Sequence, residues 1–127
     1  MITKNKYNLG ERTEKFAESI IKLAEKITKT VITAPIISQL VRSGTSIGAN
    51  MEEADGAASK NDFINKVTIA RKEARETRYW LLLIKRSDLL ENKENDKIID
   101  ELITEVLELM KILSAIINKA REAKTVK

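Results

Sequence analysis

Phe63, Val67, Ala70, Ala74, Thr77, Leu81 and Ile84 recur at spacings of 4, 3, 4, 3, 4 and 3. That is the period of a helix burying one seam against other helices, and no strand can carry it. The small residues in its middle call for a close neighbour. Little else in the chain can break a helix. Among 127 residues there are one proline and four glycines, with 43% hydrophobic and 33% charged residues. Such a composition points to an all-α fold, and the length suits a single domain with one core.

Three more helices follow from the same arithmetic. The first is expected at about 11–31, where Phe16, Ile20, Leu23 and Ile27 are spaced 4, 3 and 4. The second begins near Pro35, which suits a first helical turn, with Thr33 as the expected cap. It runs to Asp55 on the stripe Ile37, Leu40, Gly44, Ile47, Met51 and Ala54. Gly44 and Gly48 each cost an ordinary helix about 1 kcal/mol against alanine. Close approach of another helix is the simplest compensation, and a kink the alternative. Ser59 or Asn61 should cap the third helix, at 62–91. Asn95 or Asp96 should cap the fourth, at 96–122.

The fourth helix has two apolar stripes. Ile99, Ile103, Val106, Met110, Leu113, Ile117 and Ala120 form one, and Ile98, Leu102, Leu109, Ile112 and Ile116 the other. With Leu107 they cover about 220° of the helix, against the roughly 100° a bundle helix needs. An excess of that kind marks an interface, so a homo-oligomer is expected. The architecture read from these patterns is a four-helix bundle with antiparallel neighbours and short loops. One domain should span 11–122, between flexible segments at 1–10 and 123–127.

Composition also removes functions. The chain has no Cys and no His. This excludes disulfides, thiolate zinc sites, cysteine nucleophiles and histidine-based catalysis. No cofactor site and no catalytic residue emerges, so the chain is not expected to be an enzyme. There is no membrane-spanning run and no signal-peptide core, and a cytoplasmic protein is expected. Net charge is only +4, but it is blocked along the chain, with +5 over 60–86 and −6 over 87–110. Alternating blocks suit helices that attract one another.

A polar stripe remains that bundle formation does not explain. Ser43, Ser46, Asn50 and Glu53 lie beside the apolar stripe of the second helix, with Arg42 adjacent. In the third, Glu73 and Glu76 interrupt the line Ile69, Trp80 and Leu83. Facing one another, these groups would make a polar packing network, whose members must satisfy one another because unpaired buried groups are costly. A ligand or anion site, or an all-oxygen metal site from Glu53, Glu73 and Glu76, are the other readings. Lys66, Arg71, Lys72, Arg75 and Arg78 are the candidates for RNA or DNA binding. A weak patch repeated around an oligomer gains avidity. A protein-binding adaptor without nucleic-acid affinity is the alternative.

The stretch from Arg42 to Asn50, then Glu53, Ala54, Gly56, Ala57, Ser59, Lys60, Asp62 and Phe63, resembles the 23S rRNA intervening-sequence proteins, a four-helix-bundle family. The run from Lys72 to Leu81 is similar to the same family's third helix. The resemblance covers about residues 7–90, while the fourth helix matches in pattern only. It implies an up-down-up-down left-handed bundle and a homo-oligomer, a pentameric barrel with a central channel. It carries over no catalytic residue. A related branch, the accessory variability proteins of retroelements, consists of basic pentamers that bind nucleic acid. This chain departs from them by its modest charge and its acidic 87–110 block.

Overall fold

The computed structural model describes residues 8–125, with side chains up to Ala123. It contains four helices: α1 (Leu9–Ala24), α2 (Thr33–Asp55), α3 (Lys60–Arg86) and α4 (Glu94–Thr125). Each packs on two neighbours in the cycle α1, α2, α3, α4, and among the described residues no backbones approach closely across the diagonals. The result is a four-helix bundle. Residues 1–7 and 126–127, parts of the two segments expected to be flexible, lie outside the described residues. Leu9 and Gly10 are already helical, and α4 continues three residues past the expected 122.

The heptad of α3 is the heart of the core. Val67, Ala70, Ala74, Leu81 and Ile84 are fully buried, and so is Thr77. Phe63 is half-buried instead, and Ile64 takes the buried place beside it. On α4 neither expected stripe is the core line. Ile99, Val106, Leu113 and Ile117 come from the first, and Leu102 and Leu109 from the second. The bundle uses the middle of the wide apolar arc. Ile103 and Met110 on one shoulder and Ile98 and Ile116 on the other are half-buried. Leu107 stays 37% exposed.

Helix ends depart from expectation for local reasons. Helix α1 stops at Ala24, seven residues short. Lys26 and Ile27 donate to the carbonyls of Leu23 and Ala24, tightening the last turn. Ile27 then leaves the helix, is buried, and pairs by a single bridge with Leu90. Thr33 does not cap α2. Thr30 does, its hydroxyl accepting from the backbone N–H of Ile32 and Thr33, both at 3.1 Å. Thr33 instead donates to the Thr28 carbonyl at 2.6 Å. Ser59 caps α3 as expected, accepting from Asp62 N–H at 3.1 Å. Helix α3 ends at Arg86, before the expected 91. Leu89 donates back to the Ile84 carbonyl, and Asp88 sits at φ 55° to allow the turn. Neither Asn95 nor Asp96 caps α4; Asn92 accepts from Glu94 N–H at 3.0 Å and starts the helix earlier.

The glycines of α2 serve close approach. A Cβ at Gly44 would lie 2.8 Å from Cγ2 of Ile20 on α1, and one at Gly48 would lie 3.2 Å from the Thr13 hydroxyl. Near its N-terminus α1 is also tied to α4, where Arg12 donates to both carboxylate oxygens of Glu105, at 3.0 and 2.8 Å.

Two predictions follow from this packing. Gly44→Ala should lower the unfolding free energy by about 1–2 kcal/mol, because overpacking against buried Ile20 outweighs the helix propensity gained. Gly48→Ala should cost less, since Thr13 can yield a few tenths of an ångström. Denaturant titration of the two variants gives the order. Asp88→Gly should be more stable than the wild type by about 0.5–1 kcal/mol, because glycine adopts positive φ without the Cβ penalty. Thermal unfolding checks it.

Candidate functional site

The polar stripes of α2 and α3 do meet. Arg42 donates to Glu73 at 3.1 Å and also to Glu76. The indole N–H of Trp80, one turn on, donates to the same Glu76 carboxylate at 3.1 Å. Gln39 accepts from Arg42 Nε at 3.1 Å and fixes the guanidinium from its other side. Deeper in the seam, the hydroxyls of Thr77 and Ser43 are hydrogen-bonded at 2.9 Å, with both residues fully buried. The single Thr77 proton goes to the Glu73 carbonyl at 2.7 Å, so Ser43 is the donor between the two hydroxyls. The pairs Arg42–Glu76 and Glu53–Lys66 put the start of one helix beside the end of the other, so α2 and α3 run antiparallel here.

Other members of the expected network do not join it. Ser46 donates to the Arg42 carbonyl at 2.6 Å, and the Asn50 amide to the Ser46 carbonyl at 2.8 Å, both within their own helix. Glu53 lies farther along the seam and pairs with Lys66 at 2.7 Å. Glu53, Glu73 and Glu76 are therefore not gathered around one point. Among the described residues no group of three or more carboxylates is placed to hold a metal ion. The seam is also wetter than expected, with the Arg42 side chain 44% exposed and Glu76 31%.

The electrostatics follow the contacts. The hydrogen bonds from Arg42 and Trp80 hold the Glu76 carboxyl below its ordinary value, and nearby Lys72 adds to the effect. The same pairing raises Arg42, chiefly through Glu76. Lys66 is raised by its bond to Glu53.

The five candidate cations fall on different sides of α3. Lys66 turns to α2 and its glutamate. Arg71 turns to α4, donating to Ser114 at 3.3 Å. Arg78, seven residues on, shares that edge and is half-buried. Lys72 and Arg75 point outward and are exposed. Two residues outside the five candidates share their face. Tyr79 is 58% exposed, with its ring edge-on to Trp80 at 5.0 Å, and Arg86 is exposed. Their spacing from Lys72 and Arg75 was the available signal. For Thr77 it was a hydroxyl at a heptad position, level with Ser43.

This is a helical bundle in which Arg42 bridges two glutamates, and Ser43 meets Thr77, across the α2–α3 seam. The chain belongs to the 23S rRNA-intervening sequence protein family, whose family model matches residues 5–115. It is similar to a solved structure from Bacteroides thetaiotaomicron VPI-5482, a protein of unknown function from the S23 ribosomal protein family. Sequence identity is 37% and the TM-score 0.75, over 87% of this chain and 98% of that one. No curated protein matches the chain. No helix among the described residues is long and apolar enough to cross a membrane.

The seam can be titrated. Because Glu76 is held below its ordinary value of 4.5, the folded protein binds that proton less readily than the unfolded chain. Its contribution to stability is then present above that value and lost as pH falls through the lowered one. Wild type should lose stability relative to Glu76→Gln on acidification below pH 4.5. Trp80, the only tryptophan, should report the same step in its fluorescence.

Proposed function

We propose that the chain is a non-catalytic, homo-oligomeric bundle protein of the cytoplasm that binds RNA or DNA through the outward face of α3. Assembly into five copies, as the family resemblance implies, would repeat that face around a ring. The observation carrying this reading is the division of charge on α3. Glu73 and Glu76 are drawn to the α2 side by Arg42 and Trp80. Lys72, Arg75 and Arg86 are left exposed on the outer side with Tyr79. Cations with one exposed ring suit phosphate contact together with stacking on a base. Three cations are few for one copy, and repetition supplies the avidity.

A second reading is a protein-binding adaptor, favoured by Val31 and Ile32 in the α1–α2 turn, which are 92% and 73% exposed. Fluorescence anisotropy with labelled RNA and DNA oligonucleotides separates the two. Nucleic-acid binding predicts that affinity falls at least about 20- to 40-fold between about 50 and 200 mM salt, the figure for the three phosphate contacts of one copy, and more steeply where several copies engage. Lys72→Glu combined with Arg75→Glu should abolish most of it while helicity is kept. A wild type that ignores both nucleic acids at about 50 mM salt contradicts the reading and leaves the adaptor.

A further inference from the structure

Between the first half of α1 and the second half of α2 lies a cleft of about 750 Å³. Small residues line it, Gly10 and Ala17 on α1 and Gly48 and Ala49 on α2. Phe63 and Ile116, both half-buried, extend the apolar lining. Glu11 and Glu14 stand on the α1 bank and Glu52 and Asp55 on the α2 bank, and no lysine or arginine lines the cleft. These acids differ from those of the α2–α3 seam, where Arg42 and Lys66 pair with Glu73, Glu76 and Glu53. Among the described residues none of the four cleft acids has an ion-pair partner.

The lining narrows what can sit there. Acids on both banks repel nucleic acid and anionic lipid headgroups and draw a cation. A small polyamine would leave the apolar lining uncovered. An extended strand would leave its own backbone unpaired, because two helices offer it no free N–H and C=O ladder. A helix satisfies its own backbone and needs only a matching face of side chains. Glycine and alanine at the contact let the axis of a third helix come close. The α2 bank runs from Thr45 to Asp55. That is about 15 Å of helix, enough to seat about three turns of another.

We propose that the α1–α2 cleft docks a basic amphipathic helix of a partner protein. The apolar stripe of that helix lies along Ala17, Gly48 and Ala49. Lysines or arginines on its two flanks meet Glu11 and Glu14 on one bank and Glu52 and Asp55 on the other. Charge complementarity sets the approach and the orientation, and burial of the apolar stripe holds the helix in place. The cleft is separate from the outward face of α3, so the proposal stands whether or not that face takes nucleic acid.

Fluorescence anisotropy with a labelled synthetic peptide tests this. The probe is a leucine and lysine helix of about 15 residues, its leucines recurring at spacings of about 3 and 4. Its controls are a scrambled peptide of the same composition and a copy with glutamate in place of lysine. The probe should bind more tightly than both controls, and less tightly as salt rises. Glu14→Lys with Glu52→Lys should weaken binding by about tenfold or more. Ala49→Phe, which fills the cleft and leaves its charge alone, should weaken binding too. All three positions are exposed, and circular dichroism confirms folding. A probe that fails to bind, a scrambled peptide that binds as well, or variants that bind like the wild type overturn the docking site. Light scattering without peptide tests the other occupant. An oligomeric wild type that Glu14→Lys with Glu52→Lys reduces to single chains would place a second copy in the cleft and overturn the proposal.

Discussion

Helix α2 must satisfy two neighbours with opposite demands, and the bundle depends on its doing so. Toward α1 it has to disappear. Gly44 lies under Ile20 and Gly48 under Thr13, with no room for a side chain at the first. Toward α3 it has to reach out, with Arg42 spanning to two glutamates and Ser43 meeting Thr77 inside the core. A helix this poor in side-chain volume on one side and this polar on the other would not be stable alone. Packing against both neighbours stabilises it, and its two faces fix which neighbour lies on which side.

The α2–α3 seam also shapes what the protein shows to solvent. A half-exposed ion pair contributes little to stability, about 0–1 kcal/mol. Its larger effect is on the distribution of charge. Arg42 turns Glu73 and Glu76 of α3 toward α2, and Glu53 of α2 turns Lys66 the same way. What remains outside on α3 is cationic. The acids of α1 and α2 line the opposite cleft. A chain of modest net charge thereby sorts its charges locally, into a cationic outer edge on α3 and an acidic cleft on α1 and α2, which neither composition nor pI conveys.

Much of the fold was legible because it rests on periodicity. The heptad of α3 named its buried residues apart from the exchange of Phe63 for Ile64. The glycine pair on α2 correctly announced a close helix. Helix ends were less legible, because they depend on who takes the last hydrogen bonds. Thr30 won over Thr33 as a cap since Thr33 was needed at the Thr28 carbonyl. Asp88 made a left-handed stop that sequence reading reserves for glycine. On α4 an arc wider than its contact hid the core line, since either stripe would have served. In the candidate site, the facing of Arg42 with Glu73 and Glu76 was readable from two matching spacings. Ser46, Asn50 and Glu53 were placed beside it by the same spacing, yet the first two bond their own helix and the third pairs with Lys66. Spacing assigns a face and leaves the choice between a partner across the seam and one's own backbone undecided.

The central claim is that Arg42 and Glu76 act together across α2 and α3 within one chain. A double-mutant cycle tests it most directly, using Arg42→Ala, Glu76→Gln and the double variant in denaturant titrations followed by Trp80 fluorescence. The account predicts a favourable coupling of about 0.5–1 kcal/mol near neutral pH, independent of protein concentration. Additive single effects would contradict it. A coupling that vanished on dilution would also contradict it, because the partners would then belong to different chains.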